Sequence, residues 1–197
     1  MDLIHTYNNG IKCYENSIFP GALQRYQKSI NLHEPFEDVV FEHIIKNCNI
    51  KTFVDVGSAW GYYSIYAKNL DKGIKVIGFD PEEKRIKQAY ANANLNDITD
   101  IEFRNGAIPN DFKLSEVIKE LGQIDLIKID IQGAATVALK SAEKNVVKIK
   151  NIILGTHNKE HDECLSLLKE HEFKIKLNLR AHEIPIQPDG LVWATHT

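Results

Sequence analysis

Residues 52–81, TFVDVGSAWGYYSIYAKNLDKGIKVIGFDP, decide how this chain folds. Thr52-Phe53-Val54-Asp55-Val56 is a short apolar, β-branched run, the pattern of a buried strand. Gly57-Ser58-Ala59-Trp60-Gly61 follows at once. Small residues at such a turn let backbone N–H groups at a helix N-terminus approach a ligand, and the helix end favours an anionic group. Lys75-Val76-Ile77-Gly78-Phe79 is the next strand, and it delivers Asp80 to its C-terminal tip. An acid there, about twenty residues after the glycines, can accept hydrogen bonds from both hydroxyls of a ribose. The stretch reads as a nucleoside-binding βαβ unit.

Spacing narrows the choice of nucleoside. A dinucleotide fingerprint requires G-x-G-x-x-G to seat a pyrophosphate. Here Gly57, Ala59 and Gly61 follow Asp55 as D-x-G-x-A-x-G. That order resembles the first motif of class I S-adenosylmethionine (SAM) methyltransferases, with Ala59 in place of the middle glycine. The competing reading is a turn whose glycines serve packing alone, with Asp55 as a solvated turn residue.

Upstream, residues 1–34 form an extension expected to cover the cofactor or shape a substrate pocket, or else simply to pack against the core. Asn9-Gly10 between two short apolar runs predicts a hairpin with a type I′ turn. Phe19-Pro20-Gly21 predicts a turn, and 22–30 a short helix. Residues 35–197 are then the catalytic domain. Pro35 opens its first helix, with Phe36, Val39, Val40, Phe41, Ile44 and Ile45 as the apolar face. Downstream of Asp80-Pro81 a helix runs to about Asn94, followed by a strand at 101–105 leading into Gly106-Ala107. A helix at 114–121, a strand at 124–130, a helix to about Lys144 and a strand at 151–155 come next. A helix at 160–171 and strands at 173–179 and 190–194 close the chain. Strands alternating with helices argue a doubly wound, Rossmann-like α/β sheet, with an antiparallel excursion where the last two strands lack a helix between them. Ligands bind beyond the C-terminal strand ends in such sheets, and that rim gathers Gly57, Asp80, Asn105, Asp130 and His157.

The 197 residues suit one α/β domain, and 43% hydrophobic with 26% charged residues is ordinary for a globular protein. A net charge of −3 gives no reason to expect nucleic acid or an anionic membrane as partner. Three widely spaced cysteines without C-x-x-C argue reduced thiols, hence a cytoplasmic protein. MDLIHTYNNG has neither the basic nor the apolar region of a signal peptide.

The sequence resembles the FkbM-like branch of class I SAM-dependent methyltransferases from about Gly10 to Ala194. His33-Glu34-Pro35, FVDVGSAWGYYS (53–64), Gly78-Phe79-Asp80-Pro81, DLIKIDIQGAA (125–135), Gly155-Thr156-His157 and QPDGLVWA (187–194) carry the likeness. Gln132 and Ala135 stand where that family usually has acids. The resemblance implies a seven-stranded sheet, mostly parallel with one antiparallel strand. It also implies methyl transfer to an oxygen of a small molecule or sugar. Carried over, Gly57, Ser58 and Gly61, with Asp55 and Ala59 in the same motif, would hold the methionine part of SAM. Asp80-Pro81 would take the ribose, and Asn105-Gly106-Ala107 would border the adenine. Asp130 would lie near the methionine amine and the reacting methyl. Glu34 would close over the amine or the acceptor, or merely favour its helix end.

An alcohol acceptor needs a base, and His157 beside Asp130 is the candidate, because imidazole titrates near neutral pH. A backbone-bonded rim histidine is the plainer alternative. His161, His171, His182 and His196 are expected at the surface. Asp130 and His157 could hold a metal, as some related O-methyltransferases use magnesium, but two ligands make a weak case and no metal site is assigned. The expected partners are a small-molecule or saccharide acceptor and, at most, a second copy of the chain in a homodimer. A non-catalytic SAM-fold protein and an NAD-dependent oxidoreductase remain as other readings.

Overall fold

A computed structural model describes residues 2–28, 30–157, 160–184 and 189–196. A hairpin of β1 (Ile4–Thr6) and β2 (Lys12–Tyr14) leads through α1 (Pro20–Lys28) to α2 (Pro35–Asn47). Then follow β3 (Thr52–Val56), α3 (Tyr62–Leu70), β4 (Lys75–Asp80), α4 (Glu83–Leu95) and β5 (Ile101–Asn105). The second half runs α5 (Leu114–Leu121), β6 (Ile124–Ile129), α6 (Ala135–Lys140), a 3₁₀ turn (Glu143–Lys148) and β7 (Ile149–Thr156). α7 (Glu160–Glu170), β8 (Lys174–Leu179) and β9 (Gly190–Thr195) end it.

The large sheet has the order β5-β4-β3-β6-β7-β9-β8. Every pairing is parallel except those of β9, which runs antiparallel to β7 and β8. This is the seven-stranded, doubly wound arrangement with one reversed strand that the sequence predicts. The central strands β3 and β6 are covered on both faces, which is why they read as continuous apolar runs. Alternate residues feed two cores. Phe53 packs with Phe41 of α2 and Ile65 of α3 on one face, whereas Val54 and Val56 pack with Ile118 of α5 and Leu139 of α6 on the other.

The N-terminal segment is part of the first core. Tyr7, Ile11, Cys13 and Tyr26 are all buried in it. Asn96, at the C-terminal cap of α4, holds β2 through both Lys12 backbone groups, and Asn92 of α4 accepts from the Tyr14 N–H at 2.9 Å. The hairpin forms where expected, but its turn is Tyr7–Gly10, closed by the Gly10 N–H on the Tyr7 carbonyl at 2.9 Å. Gly10 takes φ +86° while Asn9 is not left-handed, so the turn is not type I′. Pro20-Gly21 belongs to α1, not to a turn before it. Phe36 and Val39 are 40% and 66% exposed; the inward face of α2 is Glu37, Asp38, Phe41, Ile44 and Ile45. The expected helix to Lys144 ends at Lys140, where the Ser141 hydroxyl caps the Ala138 carbonyl. Among the described residues no helix is long and apolar enough to cross a membrane.

Candidate active site

The sheet order reverses between β3 and β6, and a cavity of about 870 Å³ opens beyond their C-terminal ends. This is where open α/β sheets bind ligands. Glu34, Asp55, Gly57, Ser58, Ala59, Asp80, Pro81, Gly106, Ala107, Asp130 and His157 all line it. Two expected site residues do not. Gly61 initiates α3 with φ +87° and faces Ala89 and Phe103, so its lack of a side chain serves helix packing. Asn105 turns its amide to the Asp80 and Pro81 carbonyls at 3.1 and 2.9 Å, bracing the loop from outside.

The glycine turn is shaped for close approach. Gly57 has φ +89° and lies against the Asp130 carbonyl. Ser58 is buried and lines the cavity, and its hydroxyl has no protein partner. An orphaned polar group at such a place is a seat for a ligand atom. Asp80 holds the turn: its carboxylate accepts from the Ala59 N–H at 3.1 Å and the Glu82 N–H at 2.9 Å. Burial pushes its carboxyl above the usual range against these bonds. Asp55 is not solvated; it is 1% exposed and accepts from the Ser64 hydroxyl at 2.7 Å. Burial raises its carboxyl to about 6, with Lys128 and Ser64 pulling the other way. Trp60, Tyr62 and Tyr63 are buried and wall the same cavity.

Beyond Asp55 lies a set of charges that the sequence reading missed. Lys128 sits beside Asp55 in the β3–β6 register and is 2% exposed. Its ammonium is 2.8 Å from Asp130 Oδ2, 3.1 Å from Glu37 Oε1 and 4.5 Å from the Tyr63 ring centre. Glu34, Glu37 and Asp130 bring their carboxylate oxygens within 4.8 Å of one another. The Lys128 ammonium pairs with two of these three carboxylates, Glu37 and Asp130. Burial raises Glu34 to about 7, with Asp130 adding to it, and lifts Glu37 well above its ordinary value. Burial opposes ionisation of Asp130 too, yet Lys128 and His157 hold it well below the usual carboxylate range. Gly155 leaves room for that carboxylate, since a Cβ there would fall 2.8 Å from Asp130 Cγ.

His157, expected as the base, is held between two carboxylates. Nδ1 is 2.7 Å from Asp189 Oδ1 and Nε2 is 3.3 Å from Asp130 Oδ1. An ionised carboxylate only accepts, so each contact favours a proton on the ring nitrogen that faces it. The bonds to Asp130 and Asp189 raise its pKa to about 10, making it an imidazolium at neutral pH. His161 is not at the surface either; it is buried, with its nitrogens on Thr156 Oγ1 and Asn178 Oδ1, both at 2.6 Å. Gln187 and Pro188 of the quoted motifs lie outside the described residues.

Fold and cavity together define a Rossmann-like α/β domain with a ligand-sized site beyond the C-terminal ends of its strands. Residues 32–184 match the family described as "Methyltransferase domain". The chain belongs to that family, whose methyl donor is S-adenosylmethionine. No curated protein matches the sequence. Among solved structures it is similar to ribosomal protein L11 methylase from Lactobacillus delbrueckii subsp. bulgaricus, at 21% identity and TM-score 0.58, covering 84% of this chain and 80% of that one. It is similar to M. capricolum TrmK in complex with S-adenosyl-homocysteine, at 20% identity and TM-score 0.58, covering 80% and 68%. A precorrin-6y C5,15-methyltransferase from Geobacter metallireducens GS-15 aligns at TM-score 0.62 and 13% identity, covering 81% and 87%.

Proposed function

We propose that this chain is a SAM-dependent O-methyltransferase acting on a hydroxyl of a small molecule or saccharide, within the FkbM-like branch. The observation that carries the reading is the single cavity that joins the Gly57–Ala59 turn, Asp80 and the Asp130 cluster. The cofactor supplies a methyl group on a sulfonium, a leaving group that needs no protonation. Asp80 binds the ribose hydroxyls, with its carboxylate already aimed by two backbone N–H groups. The Ser58 hydroxyl and the Gly57 turn hold the methionine end. Gly106 and Ala107 border the base. Asp130, ionised by its neighbours, faces the cationic end of the donor. His157 acts as a fixed cation that orients Asp130. Glu34, titrating near 7 on the same wall, takes the acceptor proton in the place expected of His157. Phe19, Ala22 and Arg25, from α1 and the residue before it, close the cavity on the acceptor side. Free Cys13, Cys48 and Cys164 support a reducing, cytoplasmic setting.

Calorimetric titration with S-adenosylhomocysteine, beside NADH, tests the reading. Micromolar binding of S-adenosylhomocysteine that Asp80→Ala abolishes supports it. Binding of NADH alone, or of neither ligand, overturns it. Screening hydroxyl acceptors with labelled SAM then tests O-methylation.

A further inference from the structure

We propose that Lys128 is a positioning residue of the transfer site, its ammonium holding the Asp130 carboxylate in place from behind with Glu37 as the opposite anchor. The inference rests on the reading of Asp130 given above and adds two residues to it. Three elements converge on this ammonium: Asp130 at the end of β6, Glu37 in the first turn of α2, and the Tyr63 ring of α3. All but Asp130 are nearly sealed from solvent, with Lys128 and Glu37 side chains 2% and 1% exposed against 22% for Asp130. Asp130 is therefore the most open member of the group towards the cavity, which Lys128 and Tyr63 also border, whereas Glu37 does not line it.

A lysine in the middle of a strand buried on both faces is costly unless it is paired. A hydrophobic residue would fill the same place more cheaply, so the charge is explained by what it does to Asp130. His157 Nε2 reaches the other carboxylate oxygen at 3.3 Å, the longer of the two contacts. Lys128 on Oδ2 and His157 on Oδ1 together fix the plane of the carboxylate. His157 approaches from the β7 tip at the open side, whereas Lys128 is the contact buried beneath the site.

The test is calorimetric titration of S-adenosylhomocysteine into wild type, Lys128→Met and the double variant Lys128→Met/Glu37→Gln, with a thermal melt of each. Lys128→Met leaves the buried Glu37 carboxyl without its partner and lowers the melting temperature. The double variant replaces both ionisable groups and regains most of that loss. Affinity does not return with it: we expect a loss of about 30-fold in both variants. Adding Asp130→Asn to the double variant costs far less affinity than Asp130→Asn costs the wild type, because both changes act through one carboxylate. A double variant that binds within about twofold of wild type, or losses that simply add, overturns the inference. A wild type that does not bind at all overturns the reading of the site and this inference with it.

Discussion

Gly57 and the backbone of Asp130 are in contact across the turn. A Cβ at position 57 would fall 2.2 Å from the Asp130 carbonyl oxygen and 2.9 Å from Ile131 Cγ2, and φ there is +89°. The glycine turn of β3 and the tip of β6 are thus one construction. Gly57→Ala must both enter the left-handed region and push β6 away. It is expected to destabilise the fold by about 3 kcal/mol and to weaken S-adenosylhomocysteine binding by displacing Asp130. Urea unfolding and calorimetry check both. A folded variant with wild-type stability would remove the steric account.

Asp38 offers a gain of stability outside the proposed chemistry. It is 3% exposed, accepts from the Tyr62 hydroxyl at 2.8 Å on Oδ2, and has no partner on Oδ1. Burial raises its carboxyl from 3.8 to about 7. The folded state then binds its proton more tightly than the unfolded chain does. Stability is accordingly lost as pH rises from 3.8 through 7, with the full cost present above that. Asp38→Asn is expected to stabilise the protein by about 2 kcal/mol at pH 8.5, with most of the gain gone near pH 5. Urea midpoints at the two pH values measure the difference. An equal effect at both would show that charge is not the cause.

The strands, the reversed β9 and the turn after β3 were legible because each rests on local pattern. Continuous apolar runs mark strands covered on both faces, and Gly57 with Asp80 mark the ligand rim. What was not legible depends on which way a side chain faces. Phe36 and Val39 read as part of an apolar stripe, and Glu37 and Asp38 between them drew no reading of their own. The helix is rotated so that its polar first turn lies over the charged floor of the site, while Phe41 and Ile44 reach the core. Lys128 did carry a signal, as the one cation inside IDLIKI, where a buried lysine demands partners. His157 carried none: its charge state depends on Asp189, brought beside it only by the antiparallel return of β9.

Metal dependence follows from the same cluster. The three carboxylates of Glu34, Glu37 and Asp130 are close enough to hold an ion, but the Lys128 ammonium pairs with two of them. A divalent cation would have to displace it. S-adenosylhomocysteine affinity is therefore expected to stay within about twofold on adding EDTA or millimolar magnesium. A larger rise with magnesium in calorimetry would place an ion in the cluster.

His157 couples the site to pH in the alkaline range. Its pKa is raised from 6.5 to about 10 by the bonds to Asp130 and Asp189. The folded state holds the proton more tightly than the unfolded chain, so the stabilisation is complete below 6.5 and is lost as pH rises through 10. His157→Gln, which keeps a donor for one carboxylate without the charge, is expected to cost roughly 2 kcal/mol at pH 6.5. The difference from wild type should narrow as pH rises and close near pH 10. Urea unfolding across that range gives the curve, and ring nitrogen shifts in NMR report the proton directly. Two protonated ring nitrogens at pH 8 would confirm the imidazolium bridge. A neutral ring at pH 8, with a flat stability difference, would return His157 to the role of base and leave Glu34 without one.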